Sequence, residues 1–198
     1  MHYNESVKKI TYIIPGYEES HLAQSGYRKI AKLFEARGIL PVQVPMRWKK
    51  KGAEGFDAYT AQLLNMYEKK KDDEVYILGF SFGAMIAFLT AAKTKPKALI
   101  LCSLSPYFKE DLKGLKPEWV RWWKRKFKNE YSFATLAPKI KSKTYLIVGD
   151  KESSFCIKRV QAAKRQLANS HMITAKGAKH NINQRTYLSA IKKLSVSY

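Results

Sequence analysis

A serine set between two glycines, Gly79-Phe80-Ser81-Phe82-Gly83, constrains this chain more than any other stretch. It directly follows a strand-like run, Glu74-Val75-Tyr76-Ile77-Leu78, and directly precedes a helix-like one, Ala84-Met85-Ile86-Ala87-Phe88-Leu89. A strand that turns at once into a helix must bring the two elements into close contact, and glycines two before and two after the serine permit that approach. The serine is then held in a strained conformation with its hydroxyl pushed outward. By composition alone such a pentapeptide arises in roughly one chain of this length in fifteen. Its weight therefore comes from the residues around it.

Two further groups lie downstream. Thr144-Tyr145-Leu146-Ile147-Val148 reads as a buried strand and closes in Gly149-Asp150-Lys151-Glu152, with two carboxylates. Beyond it, Gly177-Ala178-Lys179-His180 follows the short run His171-Met172-Ile173-Thr174-Ala175. The chain order is thus serine, acid, histidine, each just past a candidate strand. Taken singly, each residue has an ordinary reading: a turn serine, solvated loop carboxylates, a loop histidine. The ordered combination is far more specific.

That order, together with the G-x-S-x-G turn, resembles the α/β-hydrolase family, from the first strand at about residue 8 to the C-terminal helix. The resemblance implies an α/β fold: a three-layer α/β/α sandwich on a mostly parallel sheet of about six strands. It implies one domain over 1–198, with residues 105–138 inserted as a short helical lid. The family commonly places its acid three residues past the glycine that ends the strand. Here that position is Glu152, the preferred acid, and Asp150 is the alternative. Ser81 would be the nucleophile and His180 the base that takes its proton, since a serine hydroxyl is a poor nucleophile unaided at neutral pH. Glu152 would orient the imidazole and stabilise its charged form. The resemblance places one oxyanion donor at the backbone N–H of Phe82. The other is the N–H of Tyr17, where Ile10-Thr11-Tyr12-Ile13-Ile14 ends in Pro15-Gly16-Tyr17.

Strand and helix patterns alternate along the rest of the chain, which points to a parallel sheet with crossover helices. Helical stripes run over 25–37, 57–70, 157–167 and 185–194, and further strands over 42–46 and 98–102. Within the proposed lid, Pro117 to Phe127 fits a helix with Trp119, Trp122 and Trp123 on neighbouring positions. Packing of these tryptophans against the body is preferred over lining an acyl pocket or touching a membrane. A lid of this length implies a modest pocket.

Bulk properties narrow the partners. At 198 residues the chain suits one domain. Residues 75–92 carry no charge, close to the length of a membrane span, but Gly79, Ser81 and Gly83 break the run into a strand and a helix. The first residues lack the charged start and apolar segment of a secretory signal. Cys102 and Cys156 sit in no ligand-like spacing and read as reduced, structural or incidental, which suits the cytoplasm. His2, His21 and His171 read as ordinary histidines. The 37 basic and 16 acidic side chains leave a net charge of +21, which attracts polyanions. No zinc-finger spacing, RNA-binding signature or long basic tract accompanies it, so a nucleic-acid partner is not expected. The segment Arg47-Trp48-Lys49-Lys50-Lys51 and the stretch 105–141, with ten basic and four acidic residues, would make the pocket entrance positive. An anionic ester or thioester substrate would suit such an entrance; peripheral membrane contact is the weaker reading.

These features point to a serine hydrolase that cleaves an ester or thioester through an acyl-enzyme, with no metal or organic cofactor. The alternatives are an acyltransferase using the same three residues, or a noncatalytic scaffold that binds a polyanion or membrane through its basic face.

Overall fold

The apolar runs fold as strands because parallel strands covered on both faces need side chains that can be buried in either direction. The computed structural model describes residues 7–17, 21–48, 55–68, 73–127 and 131–194. Its strands are β1 (Lys9–Ile14), β2 (Leu40–Gln43), β3 (Glu74–Phe80), β4 (Ala98–Cys102), β5 (Lys143–Gly149) and β6 (Ser170–Ala175). They form one six-stranded sheet in the order β2-β1-β3-β4-β5-β6, and every pairing is parallel. The helices are α1 (His21–Glu35), α2 (Phe56–Met66), α3 (Phe82–Thr94), α4 (Pro117–Phe127), α5 (Phe133–Leu136), α6 (Ser154–Gln166) and α7 (Arg185–Lys192).

Alternate strand residues point into two separate cores. On one face Ile14, Ile77, Leu101, Leu146 and Val148 pack with Leu63 of α2, Ile86 and Phe88 of α3, and Val160 of α6. On the other, Ile13, Leu78, Phe80, Ile100 and Ile147 pack with Ile30 and Phe34 of α1 and Tyr187 and Ile191 of α7. This is the three-layer arrangement expected from the sequence.

Boundaries differ in small, explicable ways. β2 stops at Gln43 rather than reaching Met46, because Pro45 has no N–H for a ladder bond. The uncharged run 75–92 divides into β3 and α3, and among the described residues no helix is long and apolar enough to cross a membrane. Lys49, Lys50 and Lys51 lie outside the described residues, as does His2.

The strand order reverses between β1 and β3, and such a switch point opens a crevice at the carboxyl ends of the strands. The loop Pro15–Tyr17 leaves β1 at that point, beside the turn that leaves β3. Within the register, Phe80 pairs with Cys102, Cys102 with Ile147, and Gly149 with Ala175. The loops that carry Ser81, Ser103, Glu152 and His180 therefore all leave one edge of the sheet.

Candidate active site

Ser81 sits between β3 and α3 with φ 55° and ψ −118°, a backbone conformation that non-glycine residues rarely adopt. Its N–H donates to the Cys102 carbonyl at 2.9 Å, and its carbonyl accepts from Ala84 N–H at 3.0 Å. One bond thus continues the sheet and the other begins the helix. The flanking glycines are required by contact. A Cβ on Gly83 would lie 2.3 Å from the Ile14 carbonyl oxygen, and one on Gly79 would lie 2.2 Å from the Gly83 oxygen.

The three residues singled out for catalysis meet here. Ser81 Oγ lies 3.0 Å from His180 Nε2, and His180 Nδ1 lies 2.8 Å from Glu152 Oε2. Asp150, the alternative acid, is elsewhere: its exposed carboxylate accepts the Gly177 N–H at 2.7 Å and braces the turn after β6.

Glu152 is held from several sides. Its Oε1 accepts the Gly149 N–H at 2.9 Å and the Tyr187 hydroxyl, and its Oε2 accepts the Ser103 hydroxyl as well as facing His180. Burial alone would push this carboxyl up. The donors from His180, Ser103, Tyr187 and Gly149 outweigh it and hold the group below its ordinary value. Tyr187, fully buried on α7, is pushed up by burial and by the adjacent carboxylate, so it remains a donor.

Ser103, Ser105 and Tyr187 were not singled out by the sequence. Ser103 Oγ lies 2.8 Å from His180 Nδ1, and its own φ is 53°. Ser105 Oγ lies 3.2 Å from Ser81 Oγ. No motif marks them; the available signal was the place of Ser103 and Ser105 just past β4, beside the nucleophile strand, whereas Tyr187, on α7, carried none.

His180 is 44 % exposed. Burial on its covered side lowers its pKa, but contacts with the Cys156 and Glu152 side chains push it up to about 9. Water at the exposed edge screens part of that effect, and the direction is upward.

Ser81 and His180 open onto a cavity of about 830 Å³. Tyr17, Phe82, Tyr107, Trp119 and Phe155 give it aromatic walls, and Lys116 supplies an ammonium group. Tyr17 and Phe82 thus border the site, and their rings lie 5.4 Å apart. Phe82 is the first residue of α3, so its backbone N–H belongs to the electropositive end of that helix. The turn before Tyr17 is anchored by the Gly16 N–H, which donates to the Tyr27 hydroxyl of α1 at 2.9 Å.

Two of the tryptophans divide between packing and lining the pocket, while Trp122 is exposed outside the cavity walls. Trp123 is 2 % exposed and stacks on Tyr107 at 3.7 Å, whereas Trp119 is 59 % exposed and lines the cavity. Arg47 and Trp48 line a separate cavity beside Pro15 and Gly16, so Arg47 does not add positive charge to the walls around Ser81. Cys102 and Cys156 are free thiols. Cys102 is wholly buried, but Cys156 is on the wall of the Ser81 cavity, which its reading as incidental did not foresee.

Similar architecture occurs in solved structures. Est1E from Butyrivibrio proteoclasticus is 17% identical with a TM-score of 0.75, over 97% of this chain and 88% of that one. The esterase Pf2001 from Pyrococcus furiosus is 17% identical with a TM-score of 0.64, over 94% and 78%. The thioesterase domain from the curacin biosynthetic pathway is 16% identical with a TM-score of 0.65, over 96% and 91%. At these identities the likeness shows the fold. No curated protein matches the chain. Residues 10–195 match the family model described as the alpha/beta hydrolase fold, and the chain belongs to that family.

Proposed function

We propose that this chain is a serine hydrolase that cleaves a carboxylic ester or thioester through an acyl-enzyme on Ser81. The observation that carries the proposal is the continuous line from Ser81 Oγ to His180 at 3.0 Å and on to Glu152 at 2.8 Å, opening onto a cavity.

In the reactive state His180 is neutral, with its proton on Nδ1 facing Glu152 and its Nε2 lone pair facing Ser81. As Ser81 Oγ attacks the carbonyl carbon, Nε2 takes its proton, and Glu152 stabilises the imidazolium that forms. The oxyanion is met by the backbone N–H groups of Phe82 and Tyr17; losing one such donor typically costs about 3 to 4 kcal/mol of transition-state stabilisation. The imidazolium then protonates the departing alkoxide or thiolate. A water activated by the same nitrogen releases the acid.

Residues 105–138 act as the cover of this pocket, contributing Ser105, Pro106, Tyr107, Leu115, Lys116 and Trp119 to its walls. Aromatic walls with one ammonium group suit a small, largely apolar or aromatic substrate; an anionic substituent would be met by Lys116. Two structural neighbours are named as an esterase and a thioesterase domain, which supports these two bond types.

A fluorophosphonate probe tests the proposal directly. Peptide mapping should find the label on Ser81, and turnover of a short p-nitrophenyl ester should vanish in Ser81→Ala. Folded protein that neither labels at Ser81 nor turns over the ester would overturn the reading.

A further inference from the structure

We propose that Glu152, Cys156 and His180 form a binding site for zinc(II), and that zinc bound there silences Ser81. The second half rests on the hydrolase reading; the first does not.

Among the described residues, one group of three His, Cys, Asp or Glu side chains offers donor atoms close enough to share a cation. The carboxylate of Glu152, the thiol of Cys156 and the imidazole of His180 each place a donor within 4.8 Å of the others. The fold brings them together from two loops. Glu152 lies in the turn after β5, and Cys156 follows four residues later in the first turn of α6. His180 arrives from the loop after β6, whose Ala178 carbonyl accepts the Lys151 N–H at 3.0 Å.

The donor set selects the cation. A thiolate, an imidazole and a carboxylate are ligands that zinc takes, whereas magnesium and calcium prefer oxygen throughout. Tetrahedral zinc with ordinary bond lengths holds such donors about 3.3 to 3.6 Å apart. His180 Nδ1 and Glu152 Oε2 already lie 2.8 Å apart, and no donor is more than 4.8 Å from another. Gathering them on one cation therefore takes shifts of at most about 1 Å or slightly more, which rotation of the Cys156 thiol and of the partly exposed His180 ring can supply. Cys156 and His180 also line the cavity that holds Ser81, so water can reach a cation held between them and supply a fourth ligand. Binding displaces the thiol proton to solvent and leaves a thiolate–zinc bond.

Acyl transfer does not use Cys156, yet its sulfur lies within 4.8 Å of a nitrogen of the one imidazole on which the reaction depends. Occupancy and catalysis are mutually exclusive at that ring. Zinc on Nε2 takes the lone pair that must accept the Ser81 proton. Zinc on Nδ1 displaces the proton facing Glu152 and leaves the remaining N–H on Nε2, where it can accept nothing.

Binding is measured first in Ser81→Ala protein, so that it does not depend on turnover. Competition with a chromophoric zinc indicator should show one zinc per chain, undisturbed by excess magnesium. Adding Cys156→Ser or Cys156→Ala to that background should weaken it. Loss of outer partners alone typically lowers zinc affinity by 10- to 100-fold, so loss of the thiolate should weaken it by about 100-fold or more. Cadmium, as a spectroscopic stand-in, should give a thiolate-to-metal ultraviolet band that the cysteine variants lack.

With Ser81 present, zinc should inhibit ester turnover and EDTA should restore it. Each cysteine variant, measured against its own metal-free rate and shown to be folded by thermal melting, should resist inhibition. Absence of stoichiometric binding, or binding that survives both cysteine variants, overturns the site. Binding in a chain that shows no turnover even in EDTA supports the site and overturns the silencing together with the hydrolase reading.

Discussion

The hydroxyl of Ser103 lies 2.8 Å from His180 Nδ1, the same separation at which that nitrogen meets Glu152 Oε2. Because Ser103 also donates to Glu152 Oε2, the imidazole proton is shared between a carboxylate and a hydroxyl already bound to that carboxylate. Ser103 thus both orients the ring and draws off part of the negative charge that stabilises its protonated form. It can do so only because its backbone takes a positive φ while its N–H donates to the Ile147 carbonyl at 2.7 Å.

Ser103→Ala should lower kcat by about 10-fold, the effect of losing one hydrogen bond to a charged group at the lower end of its usual range. KM should change little, since Ser103 does not line the cavity. With the competing donor gone, Glu152 holds the imidazolium more tightly, so the pH–rate midpoint should move upward. A residue that served packing alone would leave that midpoint in place, and a full pH–kcat profile distinguishes the two.

The pH–rate profile of the unmodified chain has a definite sign. Only neutral His180 can accept a proton, and its pKa is raised. Activity should therefore be lost as pH falls through that raised value. The midpoint of the free-enzyme profile should lie above the ordinary histidine value of about 6.5 and no higher than about 9. A midpoint at or below 6.5 in kcat/KM would contradict the assignment of His180 as base in this environment.

Glu152 predicts a pH dependence of stability with the same sign but at a more acid pH. Its folded pKa is depressed, so its contribution is fully present above the unfolded glutamate value of about 4.3 and is lost as pH falls through the folded one. Thermal melts of the chain and of Glu152→Gln should differ most near neutrality. The gap should begin to narrow below about pH 4 and close as pH falls further through the depressed folded value. A constant gap across that range would mean that the charge of Glu152 is not what stabilises the loop.

The positions of β3, α3, β4 and β5 were legible because burial on both faces writes itself as continuous apolar runs. Ser81, Glu152 and His180 were legible because each follows such a run in a recognisable order. Ser103 and Tyr187 were not, since their contacts with Glu152 span 49 and 35 residues and depend on how β4, β5 and α7 align. The same limit hid Cys156: its spacing in sequence resembles no ligand motif, and its proximity to His180 exists only once two loops meet. Choosing Glu152 over Asp150 used the distance from Gly149, whereas the structure separates the two by direction, one turned toward His180 and the other toward Gly177. The helix carrying three tryptophans gave one amphipathic signal for different fates, because on α4 Trp123 faces the core, Trp119 the cavity mouth, and Trp122 is exposed away from both.

That division yields a prediction in which stability and activity separate. Trp123 is 2 % exposed and stacks on both Tyr107 and Phe82, with ring centroids 3.7 Å and 5.6 Å away. Trp123→Ala should cost about 3 to 5 kcal/mol, as large aromatic truncations in packed cores do. It should also loosen the segment that carries Ser105 and Tyr107. Trp119 is largely exposed, so Trp119→Ala should change stability by about 0.5 kcal/mol or less. Because Trp119 lines the cavity, its loss should raise KM for an aromatic ester more than for an acetyl ester of the same alcohol, with kcat nearly unchanged. Denaturant melts and Michaelis curves on both variants provide the comparison. If Trp119→Ala leaves both KM values unchanged, the mouth formed by α4 makes no contact with substrate.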